Sequence, residues 1–138
     1  MPKPALCAAL GVLGGAVSAA FGGWDNSLEI LVFLMGADYL TGLIVAGVFH
    51  RSNKSKSGTL ESRAGLKGLL RKFAMLVIVC VANAVDILMG TAFIRDAVVI
   101  GFVANEGLSI LENAALMGVP IPDALKNSLE ILQKKGEK

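Results

Sequence analysis

The chain has very little of what catalytic sites are built from. It carries one histidine, His50, and two widely separated cysteines, Cys7 and Cys80. These cannot supply a CxxC pair, a His/Cys metal cage or an HExxH helix, so no metal, cofactor or catalytic residue is expected. Both cysteines lie in apolar runs, where a thiol behaves as a small buried hydrophobe. Nothing argues for an oxidising compartment or a disulfide. The glycine pairs at 14–15 and 22–23 belong to no phosphate-cradling motif. Aromatic residues are only 6% of the chain and do not interleave with the basic ones, which excludes a stacking platform for nucleic acid.

Charge is scarce as well. Charged residues make up 17% of the 138 positions, against about 25% in a soluble domain. A particle this small has a high surface-to-volume ratio and would be poorly coated by so few charges. Hydrophobic residues reach 54%, with mean hydropathy +0.67. The composition therefore predicts an all-α integral membrane protein.

Crossing ~30 Å of hydrocarbon takes ~20 helical residues. Four spans are expected, at about 5–23, 28–49, 73–94 and 97–119, forming one transmembrane domain over 1–122. Asn26, with Glu29 three residues on, reads as the N-cap of the second span. Arg95-Asp96 reads as the turn between the third and fourth, and the Pro120-Ile121-Pro122 break closes the last. Residues 50–72 form a basic hinge between two hairpins, and 123–138 a short amphipathic charged tail with Leu125, Leu129 and Leu132 on one face. A rival reading takes Met1 to Ala20 as a signal peptide cut after Ala20.

Thirteen residues are basic. Lys3, Arg51, Lys54, Lys56, Arg63, Lys67, Arg71, Lys72, Lys126, Lys134, Lys135 and Lys138 fall on one side of a four-span topology, leaving Arg95 alone on the other. The positive-inside rule then places both termini and the hinge in the cytoplasm.

Ionisable groups inside spans cost ~2.5–3.5 kcal/mol at the helix centre on insertion scales, so they mark functional sites by default. Asp38 and Glu106 each lie about ten residues into a span, each followed one turn later by a hydroxyl, Thr41 and Ser109. This correspondence hints at a two-hairpin pseudo-repeat. Asn83 and Asp86 share a face of the third span. Asn105, Glu106, Ser109, Glu112 and Asn113 form a stripe along the fourth. These side chains line water in an assembled state, or else act as interhelical glue in a dry bundle. Gly11, Gly15 and Ala19, with Gly14, Ser18 and Gly22 beside them, form two small-residue rows suited to close helix packing and self-association. Arg63, Lys67 and Arg71 recur every fourth residue opposite Leu66, Leu69, Leu70 and Phe73. With Lys72, they make a basic amphipathic helix that would contact anionic lipid.

Three stretches resemble the toxin-secretion/phage-lysis holins, a family of small bacteriophage membrane proteins. They are Gly36-Ala37-Asp38-Tyr39-Leu40-Thr41-Gly42, the basic run Ser62 to Lys72, and Ala104 to Ala114 with Gly118-Val119-Pro120-Ile121-Pro122 behind it. The resemblance covers roughly Asn26 to Leu132. It implies a homo-oligomer in the host's cytoplasmic membrane that opens lesions, collapses the membrane potential and releases the phage endolysin. A small ion or proton channel, or a ring subunit using the midplane carboxylates, is the alternative; a structural membrane adaptor recruiting partners through the hinge is another.

Overall fold

A computed structural model describes residues 2–137; the tail's Lys138 lies outside them. The described chain is all helical: α1 (Lys3–Ala20), α2 (Asn26–Ile44) extended by a π-helical turn (Val45–Phe49), α3 (Ser62–Met89), α4 (Ile94–Leu116) and α5 (Asp123–Glu137). Three helices, Lys3–Ala20, Asn26–Phe49 and Ser62–Met89, are long and apolar enough to cross a membrane. The fourth expected span, α4, carries Arg95, Asp96, Glu106 and Glu112 and does not join them on composition.

Several boundaries differ from the sequence reading, each for a local reason. The N-cap of α2 is Asp25, whose extended backbone lets its carboxylate accept from the Leu28 amide at 2.9 Å; Asn26 is already helical. The α3–α4 turn falls at 90–93 and not at Arg95-Asp96. Gly90 takes a left-handed φ of 69° that ends α3, and the Asp86 carboxylate accepts from the Ile94 and Arg95 amides at the start of α4. The basic amphipathic segment is not a separate helix. It forms the first turns of α3, continuous with the apolar stretch, so the non-helical part of the hinge is confined to residues 50–61.

Helices α2, α3 and α4 pack around an apolar cluster of Leu28, Leu31, Met35, Val79 and Val99, flanked by Phe21, Met75, Leu76 and Phe102. This core occupies the end that carries the α1–α2 and α3–α4 turns. Large apolar side chains cover the outside: Leu10, Val12 and Leu13 on α1, Phe33 and Leu40 on α2, Phe73, Val81 and Ile87 on α3. Large apolar side chains left exposed on three helices mark a surface that lipid or another apolar face covers. Among the described residues, no large hydrophobic side chain of α4 itself stands exposed. α4 is the inner helix, packed against α2, α3 and α5.

The tail helix begins at Asp123 as expected, then turns back along α4. Leu129, Leu132, Gln133 and Gly136 form its half-buried face. Gly136 lies so close that a Cβ there would sit 2.6 Å from Gly101 Cα, and Leu129 reaches Gly107.

Candidate functional site

Asp38 and Glu106 meet across the α2–α4 interface, and a lysine joins them. Lys72 Nζ donates to Asp38 Oδ2 and to Glu106 Oε2, at 2.7 Å each. Asp38 is 4% exposed and Glu106 2%. The second Asp38 oxygen accepts from Ser109 Oγ at 2.6 Å and from Asn113 Nδ2 at 3.1 Å. Asn113 Nδ2 also lies 2.8 Å from Thr41 Oγ1, and Thr41 in turn donates to the Ala37 carbonyl. Lys54, from the hinge, reaches within 3.8 Å of Asp38 Oδ1. Two carboxylates thus meet two ammonium groups, one at close range. Among the described residues no buried side-chain nitrogen or oxygen lacks a partner. Satisfaction of this kind is what a low-dielectric interior demands, because an unpaired charge there is costly.

Local sequence places these groups. Asp38 and Thr41 stand one turn apart on α2, as do Glu106, Ser109 and Asn113 on α4, so each helix presents one polar edge. Gly65 lets α3 approach Tyr39 of α2, since a Cβ there would sit 3.3 Å from the Tyr39 hydroxyl, and Gly68 lies in ordinary contact range of the ring. The Tyr39 hydroxyl donates to the Gly65 carbonyl at 3.4 Å. Beside the cluster lies a cavity of about 170 Å³, bounded by Asp38, Lys54, Arg71, Lys72, Glu106 and Ser109 among others.

The remaining sequence candidates are placed elsewhere. Asn105 and Glu112 are exposed, and Glu112 accepts from Asn53 of the hinge. Asn83 donates to the Ala19 and Ala20 carbonyls, tying α3 to the end of α1. Asp86 serves the α3–α4 turn, where Thr91 Oγ1 also donates to it at 2.6 Å. Gly11, Gly14 and Gly15 lie on the open face of α1 with nothing near them, and Ser18 is half-buried. Gly22 sits past the helix in a turn with φ +83°, where a Cβ would strike Asn83. Arg63 and Lys67 project from the first turns of α3 with no ion-pair partner among the described residues, and neither has Arg71 one.

Two residues matter more than sequence reasoning allowed. Lys72, grouped with the lipid-facing basic residues, turns inward to the acids. It is the last cation before the apolar part of α3, a position that nothing in the sequence distinguishes from that of a headgroup-facing lysine. Arg95, read above as a turn residue and as the lone cation on the outer side, is 5% exposed and clasps the turn end. It donates to Asp25 through Nη1 at 2.6 Å and Nη2 at 3.2 Å, to the Phe21 carbonyl through Nε, and to the Gly23 carbonyl. The guanidinium holds the Asp25 carboxyl below its usual pKa of 3.8.

The chain as a whole is similar to known proteins. The profile of the bacteriophage holin family matches residues 15–134. A probable holin of Bacillus phage phi105 is 34% identical over 111 residues, covering 80% of this chain and 76% of that protein. An uncharacterized protein of Listeria innocua is 40% identical over 129 residues, covering 91% and 86% of the two chains. An uncharacterized 14.9 kDa protein of Clostridium perfringens is 40% identical over 125 residues, covering 89% of each. No solved structure matches the chain.

Proposed function

The chain belongs to the bacteriophage holin family, and from that premise we propose that it oligomerises in the host's cytoplasmic membrane and opens lesions. These depolarise the cell and release the phage endolysin to the wall. The observation that carries the reading is a subunit with three long apolar helices, two of which, α2 and α3, pack with α5 around an α4 whose polar edge is turned inward. A bundle of about four helices fills its interior with side chains, so passage of a folded enzyme requires many subunits around one opening.

α4 acts as the fourth span in this proposal. Its charged stripe argues against a helix bathed in lipid, but α2, α3 and α5 shield it, and polar residues in spans face a bundle interior or water. The open face of α1, with Gly11 and Gly15 along one line and Gly14 and Ser18 along another, supplies subunit contact. The hinge and the N-terminus are cytoplasmic, where Arg63, Lys67 and Arg71 meet anionic lipid at ~1 kcal/mol per charge near the surface. The tail helix, which runs back along α4 until Gly136 meets Gly101, departs from the cytoplasmic placement expected of the C-terminus.

The test is expression in a bacterium while membrane potential and growth are followed. Growth should continue through a lag and then stop abruptly as the potential collapses. A permeability that rises in proportion to protein from the outset, limited to small ions, would favour the channel alternative, in which Asp38 and Glu106 bind the ion.

A further inference from the structure

We propose that Lys72 is the latch of a closed subunit, and that opening of the Asp38–Lys72–Glu106 bridge sets the moment at which α4 exposes its polar edge. The inference rests on the holin reading and adds what regulates it. In the described structure Glu106 and Asn113 are buried and Ser109 is half-buried, and the three bond to Asp38, Thr41 and Lys72 of the same chain. At the turn end α4 is held by the apolar cluster around Val99. Towards the hinge the side-chain hydrogen bonds from α4 to α2 all involve Asp38 or Thr41. A polar seam of this kind can exchange its partners for water, which an apolar seam cannot do without exposing hydrocarbon surface.

The two acids are not equally protected. Asp38 has Lys72, Lys54, Ser109 and Asn113 around it, whereas Lys72 is the one cation that reaches Glu106 among the described residues. Removing the Lys72 ammonium leaves two facing carboxylates, and Glu106 then has no cation at all. Removing one partner of a buried ion pair is far more disruptive than replacing the whole group with neutral side chains. Neutralising all three residues together should therefore keep the seam shut. The cavity beside the cluster, lined by Lys54 and Arg71 from the hinge side, gives water a path to the bridge once it loosens.

The experiment uses the full chain in membranes, with Ser109→Cys as a reporter in a Cys7→Ser, Cys80→Ser background. A membrane-impermeant maleimide is applied to inside-out vesicles, and lysis onset is timed in parallel. Lys72→Met should raise labelling by about tenfold or more and shorten the lag. The exchanged pair Lys72→Glu with Glu106→Lys should restore both towards wild type. The neutral triple variant Asp38→Asn, Lys72→Met, Glu106→Gln should stay protected, which separates a sprung latch from a misfolded chain. Equal labelling with and without Lys72, or an exchanged pair no better than Lys72→Glu alone, overturns the latch. Labelling reads the subunit directly. If no protein ever leaves the cell yet the labelling contrast holds, the lesion reading fails and the latch stands; if lysis proceeds with no contrast, the latch alone fails.

Discussion

A guanidinium as buried as that of Arg95 needs acceptors for its N–H groups, and the α1–α2 turn supplies them within residues 21–25: two backbone carbonyls and both oxygens of Asp25. The clasp fixes the start of α4 against the end of α1. Arg95→Ala should destabilise the detergent-solubilised protein by about 1–3 kcal/mol, read as a fall in the thermal midpoint. Asp25→Asn should cost less, because the carboxylate is half-exposed and solvent screens the pair. The sign of the pH dependence follows from the lowered Asp25 pKa. Its stabilising contribution is complete above the usual value of 3.8 and is lost as pH falls through the lower folded value. Thermal midpoints measured between pH 5 and pH 2 should therefore drop less in Asp25→Asn than in the parent. An equal drop in both would remove Asp25 from the account.

At the scale of helices, the topology and the tail can each be tested. In a cysteine-free background, Ser55→Cys should resist impermeant reagents applied to intact cells and Asn26→Cys should react. Labelling of residue 55 from outside would invert the assignment. The tail contact depends on Gly136, where any Cβ meets the backbone of α4. Gly136→Leu should lift α5 away and speed amide exchange across residues 123–136, while α2 and α3 keep their protection. Unchanged exchange in α5 would show that the helix is held otherwise. The all-helical class and the apolar helices were readable from hydropathy, because spans need length and composition alone. The return of α5 along α4 was not: the Leu129/Leu132 face shows that the tail helix has an apolar side but not which element receives it, and the Gly101–Gly136 approach leaves no periodic signal. The Asp38/Thr41 and Glu106/Ser109 correspondence did point to residues that meet, but the pattern could not say that Lys72 would bridge them. A lysine at the foot of an apolar run looks the same whether its long stem turns to lipid headgroups or into the bundle.

For the whole molecule, the open face of α1 is the feature that a single chain leaves unused. None of its residues is buried, and Gly11, Gly14 and Gly15 have nothing within 4 Å. In the proposed assembly those glycines let neighbouring backbones approach, so Gly15→Leu should insert normally yet lengthen the lag severalfold or abolish lysis. Normal timing at equal membrane abundance would move the contact to another face. The central claim is that many subunits build an opening wide enough for a folded protein. It is tested most directly by co-expressing the chain with a cytoplasmic endolysin or a reporter protein and measuring what leaves the cell after growth stops. The account predicts abrupt release of the folded protein after a lag. Escape of ions alone, with the protein retained, would contradict it.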